Sequence, residues 1–300
     1  MEISINREKT ASEPRLPVWL RRPVRHDPEV LRIRRLLAGR RVHTVCRSAG
    51  CPNLTECFGR STATFLILGD VCTRRCRFCG VRQGRPAAVD PDEPGRVASV
   101  VRDLGLRHVV VTSVTRDDLP DGGARQFART VHAVRRITPD ATIETLIPDF
   151  LGNPDSLETV LDSGVDVLNH NVETVPRLYP IVRPGADFLR SIRILERAKS
   201  VRPDVLTKSG LMAGLGETPD EMAAVFETLA GVRCDALTIG QYLMPAATAY
   251  PVREYIQPSR FREYESTAIR RGIPRVLAGP YVRSSYQAET MMKHAMRSGV

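Results

Sequence analysis

Six of the seven cysteines fall within 34 positions, at 46, 51, 57, 72, 76 and 79, while the seventh stands alone at 234. They form two triplets, Cys46-x4-Cys51-x5-Cys57 and Cys72-x3-Cys76-x2-Cys79. A disulfide framework fits poorly, because the total is odd and a 300-residue chain that is 42% hydrophobic can build a core without one. Structural zinc takes four tetrahedral ligands, whereas each triplet supplies three; His43 could complete one Cys3His set with Cys46, Cys51 and Cys57. Iron–sulfur chemistry suits the pattern better. A cubane cluster presents several irons on one compact body, and thiolates two to five residues apart along a loop can reach neighbouring corners. Three thiolates leave one iron open to an outside ligand, which separates a cluster that only moves electrons from one that acts on a bound molecule. Two triplets therefore imply two clusters, each in need of a fourth ligand. Cys234, next to Asp235 at a strand start, reads as a small buried hydrophobe.

Something must hold these loops, and the rest of the chain alternates short aliphatic runs with amphipathic segments, the pattern of β/α repeats in an α/β protein. Strands are expected at 64–68, 108–113, 142–147, 165–169, 205–211 and 236–240, and helices at 96–104, 124–137, 156–163, 186–200, 219–230 and 259–271. Six such units make an open barrel rather than the closed eight. Functional side chains are then expected at the carboxyl ends of strands and in the loops that follow. Residues 69–80 form such a loop and carry the second triplet. Thr112, Ser113, Arg116, Asp117 and Asp118 follow the second strand and suit the amino-acid part of a cofactor. Asn169, His170, Asn171 and Glu173 follow the fourth and suit a ribose or substrate, with His170 alone read as a buried structural histidine. Lys208 and Glu217 flank a glycine-interrupted segment at the fifth strand, and Arg183 is a candidate carboxylate clamp. No Gly-Lys-Ser/Thr ending marks a nucleoside-triphosphate loop.

The formal charge is +10, and 40 of the 44 basic residues are arginine. Residues 1–45 hold eleven basic against five acidic residues, so this basic arm is expected to meet an acidic surface, with one short helix near 29–37. No apolar run reaches the length of a membrane span, and the first residues do not resemble a secretory signal, so a cytoplasmic location is expected.

The run Cys72-Thr-Arg-Arg-Cys76-Arg-Phe78-Cys79 resembles the signature of the radical S-adenosylmethionine enzymes, in which an aromatic residue precedes the last cysteine. That resemblance implies a partial (β/α)6 barrel, a [4Fe-4S] cluster on Cys72, Cys76 and Cys79, and S-adenosylmethionine bound at the open iron as the source of a hydrogen-abstracting radical. The upstream run Cys46-Arg-Ser-Ala-Gly-Cys51-Pro-Asn-Leu-Thr-Glu-Cys57 narrows the likeness to the lipoyl synthases. So do Val111 to Ala124, His170 to Tyr179, Val182 to Gly185, Thr207 to Met212 and Arg283-Ser-Ser-Tyr286. The likeness spans about residues 43–286.

That resemblance implies a second, auxiliary [4Fe-4S] cluster on Cys46, Cys51 and Cys57, with a serine oxygen of the Arg-Ser-Ser-Tyr motif as fourth ligand; Ser285 is preferred over Ser284. It implies insertion of sulfur at carbons 6 and 8 of a protein-bound octanoyl-lysine, the auxiliary cluster being consumed as donor. Implied cofactors are two [4Fe-4S] clusters and S-adenosyl-L-methionine; Thr112, Ser113, Asn171, Glu173, Lys208 and Arg183, by residue type and place in the chain, are the expected cofactor contacts. Implied partners are octanoylated lipoyl carrier domains (2-oxoacid dehydrogenase E2 or glycine-cleavage H protein), an electron donor and a cluster-repair protein, with no membrane and no nucleic acid. The expected organisation is a basic extension with the auxiliary cysteines (1–60), the barrel (61–275) and a C-terminal segment with the serine motif (276–300). A two-cluster methylthiotransferase acting on transfer RNA is the alternative, but that family places its first triplet differently and adds an RNA-binding domain for which nothing remains after residue 286.

Overall fold

The computed structural model describes residues 16–21, 27–60 and 62–291. The strands among them are β1 (His43–Thr44), β2 (Thr64–Ile67), β3 (Val71–Cys72), β4 (Arg82–Gln83), β5 (His108–Ser113), β6 (Thr142–Leu146), β7 (Val167–Asn169), β8 (Leu206–Ala213), β9 (Ala236–Gln241) and β10 (Arg275–Gly279). The α-helices are α1 (Pro28–Gly39), α2 (Val45–Ser48), α3 (Leu54–Gly59), α4 (Glu93–Asp103), α5 (Ala124–Ile137), α6 (Pro154–Leu161), α7 (Tyr179–Val182), α8 (Phe188–Val201), α9 (Pro219–Gly231) and α10 (Pro258–Arg270).

One open sheet runs β1-β2-β5-β6-β7-β8-β9-β10. From β2 onward every pairing is parallel, and β1 alone lies antiparallel, His43 opposite Leu66. All six expected strands form, giving the α/β partial barrel. The sheet continues beyond them through β10, whose residues are all half-buried, and through the two residues of β1. Strands covered on both faces need continuous apolar runs, and Phe65, Ile67, Val109, Val111 and Ile143 are wholly buried.

The helices start where side chains satisfy their first amide groups. Asn153 accepts from Asp155 and Ser156 ahead of α6, Asp187 from Arg190 ahead of α8, and Thr218 and Glu221 form a reciprocal capping box on α9, with Pro154 and Pro219 opening two of the three. All six expected helices form, with starts within three residues of the observed ones.

Two apolar groups share the interior. One joins β2, β5 and β6 to α4 and α5; the other joins β8 and β9 to α9 and α10 around Phe226, Leu229, Ile239 and Phe261. The first also contains Val30, Ile33 and Leu37 of α1 and Phe58 of α3. Residues 28–45 are thus packed on the barrel, and the expected short helix forms as α1; Arg22 and Arg25 of the basic arm, with everything before residue 16, lie outside the described residues.

Candidate iron–sulfur site at the barrel mouth

The second triplet sits where β2 stops. Leu68 turns into left-handed backbone at φ 66, its amide donates to Glu93 Oε2 at 2.8 Å, and Gly69 follows at φ 88. Strand β3 then pairs with β4 in a separate two-stranded ribbon, and Gly84 N donates to Cys72 O at 3.0 Å. Between the cysteines Arg74 turns inward, 7% exposed. Its guanidinium grips Asp117 at 2.7 and 2.9 Å and Asp149 at 2.5 Å, so the loops after β2, β5 and β6 are tied together. The Arg74 and Thr115 amides point at Cys72 Sγ, each at 3.4 Å.

The first triplet is carried on short helices. Cys46 lies in α2, Cys57 in α3, and Cys51 between them, where its amide donates to Cys46 O at 3.0 Å. Gly80 brings the two loops together: a Cβ there would stand 3.0 Å from both Ala49 O and Pro245 Cβ. All six thiols are free.

The C-terminal segment after β10 crosses the same opening. Asn53 Nδ2 donates to Tyr281 O at 2.7 Å and Tyr286 OH to Glu56 Oε1 at 3.0 Å, which fixes the segment to α3 and the loop before it. The two serines part company. Ser285 Oγ accepts from Thr64 Oγ1 at 2.7 Å, and the same threonine hydrogen-bonds the Cys46 thiol. Ser284 Oγ instead accepts from Asn169 Nδ2 at 2.8 Å and donates to Asn171 Oδ1 at 3.0 Å.

These pieces enclose one cavity of about 510 Å³. All six cysteines line it, together with Thr112, Ser113, Asn171, Glu173, Arg183, Ser284 and Ser285 and an apolar wall that includes Leu211, Met212, Leu243 and Met244. Burial pushes the thiols of Cys46 and Cys76 up to about 11 and those of Cys57 and Cys79 up to about 12. Neighbouring thiols of the same triplet add to the rise, whereas Arg183 opposes it at Cys76. Three buried thiolates side by side need positive charge to become stable, and a cluster of cationic iron supplies it. Among the described residues no three His, Cys, Asp or Glu side chains converge on one point as a mononuclear ion demands; thiols that face separate corners of a cluster are spread more widely. The donor set therefore fits two clusters.

Ser113 Oγ in the wall is buried with no partner, and Thr112 donates to Leu146 O at 2.9 Å. Arg183, 9% exposed, is held by Asn171 O at 3.0 Å and stands beside Tyr179. Burial raises the Glu173 carboxyl above its ordinary range, against Arg183 and the amide of Asn171, which donates to it at 3.1 Å.

Lys208 requires correction. It is not a cavity residue: its ammonium is wholly buried against Glu144, 3.0 and 3.1 Å from the two oxygens. Burial alone would raise Glu144, but Lys208 and the hydrogen bonds from His108 and Asn169 bring it down to about 2. Asp117, Asp118 and Arg116 are likewise used in ion pairs, the last two with each other, and Glu217 caps the amides of Gly214 and Leu215. His170 is fully buried, its Nδ1 at 2.9 Å from Ile147 O, and burial with nearby Arg183 lowers it to about 4. Cys234 is buried, its Sγ 3.3 Å from Ala236 O. Sequence reading missed Arg74, Asp149 and Asn53; nothing in the run Arg74-Arg75 distinguishes the inward guanidinium from the exposed one.

Residues 66–229 match the model of the Radical SAM superfamily. The lipoyl synthase of Caldanaerobacter subterraneus subsp. tengcongensis is 50% identical over 275 residues, covering 92% of this chain and 96% of that one. The lipoyl synthase of Caldicellulosiruptor saccharolyticus is 51% identical over 277 residues, at 92% and 97%, and that of Nitrosococcus oceani 50% over 288, at 96% and 89%. Among solved structures, Streptococcus suis SuiB bound to precursor peptide SuiA aligns with a TM-score of 0.57 at 12% identity over 71% of this chain and 48% of that one. Methylornithine synthase (PylB) aligns with 0.51 at 14%, over 84% and 82%; both share the fold alone. With half of its residues identical to those of full-length relatives, and with two cysteine triplets facing one cavity in a parallel α/β barrel, the chain belongs to the lipoyl synthase family of the radical S-adenosylmethionine superfamily.

Proposed function

We propose that this enzyme converts an octanoyl chain, amide-linked to a lysine of a lipoyl carrier domain, into a lipoyl group by placing sulfur at carbons 6 and 8. The observation that carries this reading is the single cavity onto which two separate triplets of thiols open, since a radical enzyme with one cluster needs only Cys72, Cys76 and Cys79. When bound, the downstream cluster with S-adenosylmethionine supplies hydrogen-abstracting radicals and the upstream cluster supplies sulfur.

The chain's own residues hold, orient and shield these groups. Cys72, Cys76 and Cys79 would hold one cluster, and Cys46, Cys51, Cys57 and Ser285 the other. A serine oxygen is a harder and more readily displaced iron ligand than a thiolate, as a cluster that is to be opened requires. Arg183 is placed to receive a carboxylate of S-adenosylmethionine. Glu173 and Asn171 receive its amino group or ribose, and Thr112 and Ser113 contribute hydroxyls. The apolar wall of Leu211, Met212, Leu243 and Met244 suits an eight-carbon chain and keeps water from a radical.

Octanoylated carriers of the 2-oxoacid dehydrogenase E2 or glycine-cleavage H type are the proposed partners, with an electron donor and a cluster-repair protein. Exposed Arg47, Arg75 and Arg77 adjoin cluster cysteines in the chain, and Arg77 and exposed Arg253 lie 5.6 and 5.4 Å from the ring centroid of Tyr250; none of the four has a carboxylate partner among the described residues. Such a rim favours an acidic carrier surface. Among the described residues no helix is long and apolar enough to cross a membrane. Methylthiolation of transfer RNA is not favoured beside relatives that are lipoyl synthases.

The test is anaerobic incubation of cluster-loaded protein with S-adenosylmethionine, a reductant and an octanoyl-lysine peptide. Mass spectrometry is expected to find a gain of two sulfurs and a loss of two hydrogens in the oxidised product. Unaltered peptide beside abundant 5′-deoxyadenosine would overturn the reading.

A further inference from the structure

Two adjacent serines cross the barrel mouth, and only one of them has a hydroxyl that faces the thiols without being bound on both sides. Ser284 Oγ is used twice, accepting from Asn169 and donating to Asn171. Asn169 is itself wholly buried, and its amide nitrogen also donates to Glu144 Oε1 at 2.8 Å. Glu144 is fixed by Lys208 and by His108, whose Nε2 stands 3.3 Å from Oε2. These residues come from four neighbouring strands, β5 to β8, so the barrel interior carries a polar chain that runs from a buried ion pair to the tail of the protein. Asn171 continues it to Glu173.

A buried ion pair contributes little net stability, yet it fixes geometry, because neither partner can move without leaving a charge uncompensated. The other end of the device is equally tight. The backbone of Val282 passes so close to β9 that a Cβ on Gly240 would fall 2.0 Å from Val282 O.

We propose that Ser284 is a positioning residue: the Lys208–Glu144–Asn169 chain and Asn171 form a seat for its hydroxyl, and that seat presents Ser285 to the upstream thiols. This rests on the reading of Ser285 as an iron ligand, but the seat itself belongs to the protein without clusters and is testable there. The two serines therefore divide one task. Ser284 holds the turn, and Ser285 remains available because, among the described residues, its hydroxyl is engaged only by the hydrogen bond that Thr64 donates.

The experiment compares Ser284→Ala, Ser284→Thr, Asn169→Ala and Ser285→Ala by hydrogen exchange in cluster-free protein, then by iron content and Mössbauer spectroscopy after loading. Amides of Val282 and Tyr286, bonded to Gly279 O and Arg283 O, are expected to exchange about tenfold faster in Ser284→Ala and Asn169→Ala, the loss of one or two hydrogen bonds. In Ser284→Thr and Ser285→Ala they keep wild-type protection. Strand amides of β5 in Ser284→Ala should be unchanged, which separates a loosened tail from a misfolded barrel. Equal exchange in Ser284→Ala and wild type overturns the seat, whichever serine binds iron. If Ser284→Ala frees the tail while Ser285→Ala leaves the Mössbauer signature of the upstream cluster intact, the ligand reading falls and the seat stands.

Discussion

Arg74 shows how much a single side chain near the cavity thiols can decide. It is one of three arginines between or beside Cys72, Cys76 and Cys79, and the only one of them that is buried. Replacing it with alanine leaves Asp149, whose side chain is inaccessible, with Arg190 as its remaining ion-pair partner among the described residues, beside the Leu151 amide. We expect Arg74→Ala to cost about 3 kcal/mol in denaturant unfolding of cluster-free protein and to reduce iron bound by the downstream triplet. Arg74→Lys recovers only part of this, because a point charge cannot bridge two carboxylates as a planar fork does. His170 gives a pH dependence with a definite sign. Its folded pKa, about 4, lies below the ordinary 6.5, so the unfolded chain takes up the proton first. Stability is therefore lost as pH falls from about 6.5 to about 4, by up to ~3 kcal/mol, and is flat for this group outside that window. Glu144, depressed to about 2 from 4.5, extends the loss from about 4.5 down to about 2. Unfolding titrations of wild type and His170→Asn check this: the variant should lose the upper slope and keep the lower. The two cysteine triplets were legible from spacing alone, and the structure brings all six thiols to one cavity. Arg74 and Asn169 were not, because their roles depend on partners 43 to 115 residues away.

Strands and helices were legible wherever an aliphatic run was bounded by polar or glycine residues. The Val109–Val111 run in β5 is such a case. Strand β10 escaped because only Val276, Leu277 and Ala278 of its five residues are apolar and none is fully buried, so it carries little period or hydrophobic signal. Lys208 was misplaced for a related reason. Its position in β8 was clear, yet which residue it meets depends on the register of β6, β7 and β8, where Glu144 aligns with Val167 and Lys208 with Asn169. The close fit of β9 against the tail gives a prediction at this scale. Gly240→Ala must push Val282 away, since both partners are backbone; about 2 kcal/mol of stability should be lost, with faster hydrogen exchange at Val282. Unchanged exchange there would contradict the packing of the tail on β9.

For the molecule as a whole, the N-terminal segment and the charged rim act at different levels. Removing residues 1–40 would strip Val30, Ile33 and Leu37 from the core, a loss on the order of 5 kcal/mol. Truncation of residues 1–15 leaves buried Leu20 and that helix in place and should isolate the effect of Arg7, Lys9 and Arg15 on carrier binding. If the carrier is drawn by charge, its KM should rise about fivefold between about 0.05 and about 0.3 M salt, while the KM for a neutral octanoyl-lysine peptide stays level. All of this depends on the six thiols near the mouth holding two clusters. Iron and acid-labile sulfide analysis of anaerobically loaded protein tests that most directly. About eight irons and eight sulfides per chain are expected, falling to about four of each when Cys46, Cys51 and Cys57 are replaced together, with cleavage of S-adenosylmethionine retained. Zinc without sulfide, or about four irons in the unaltered protein, would contradict it.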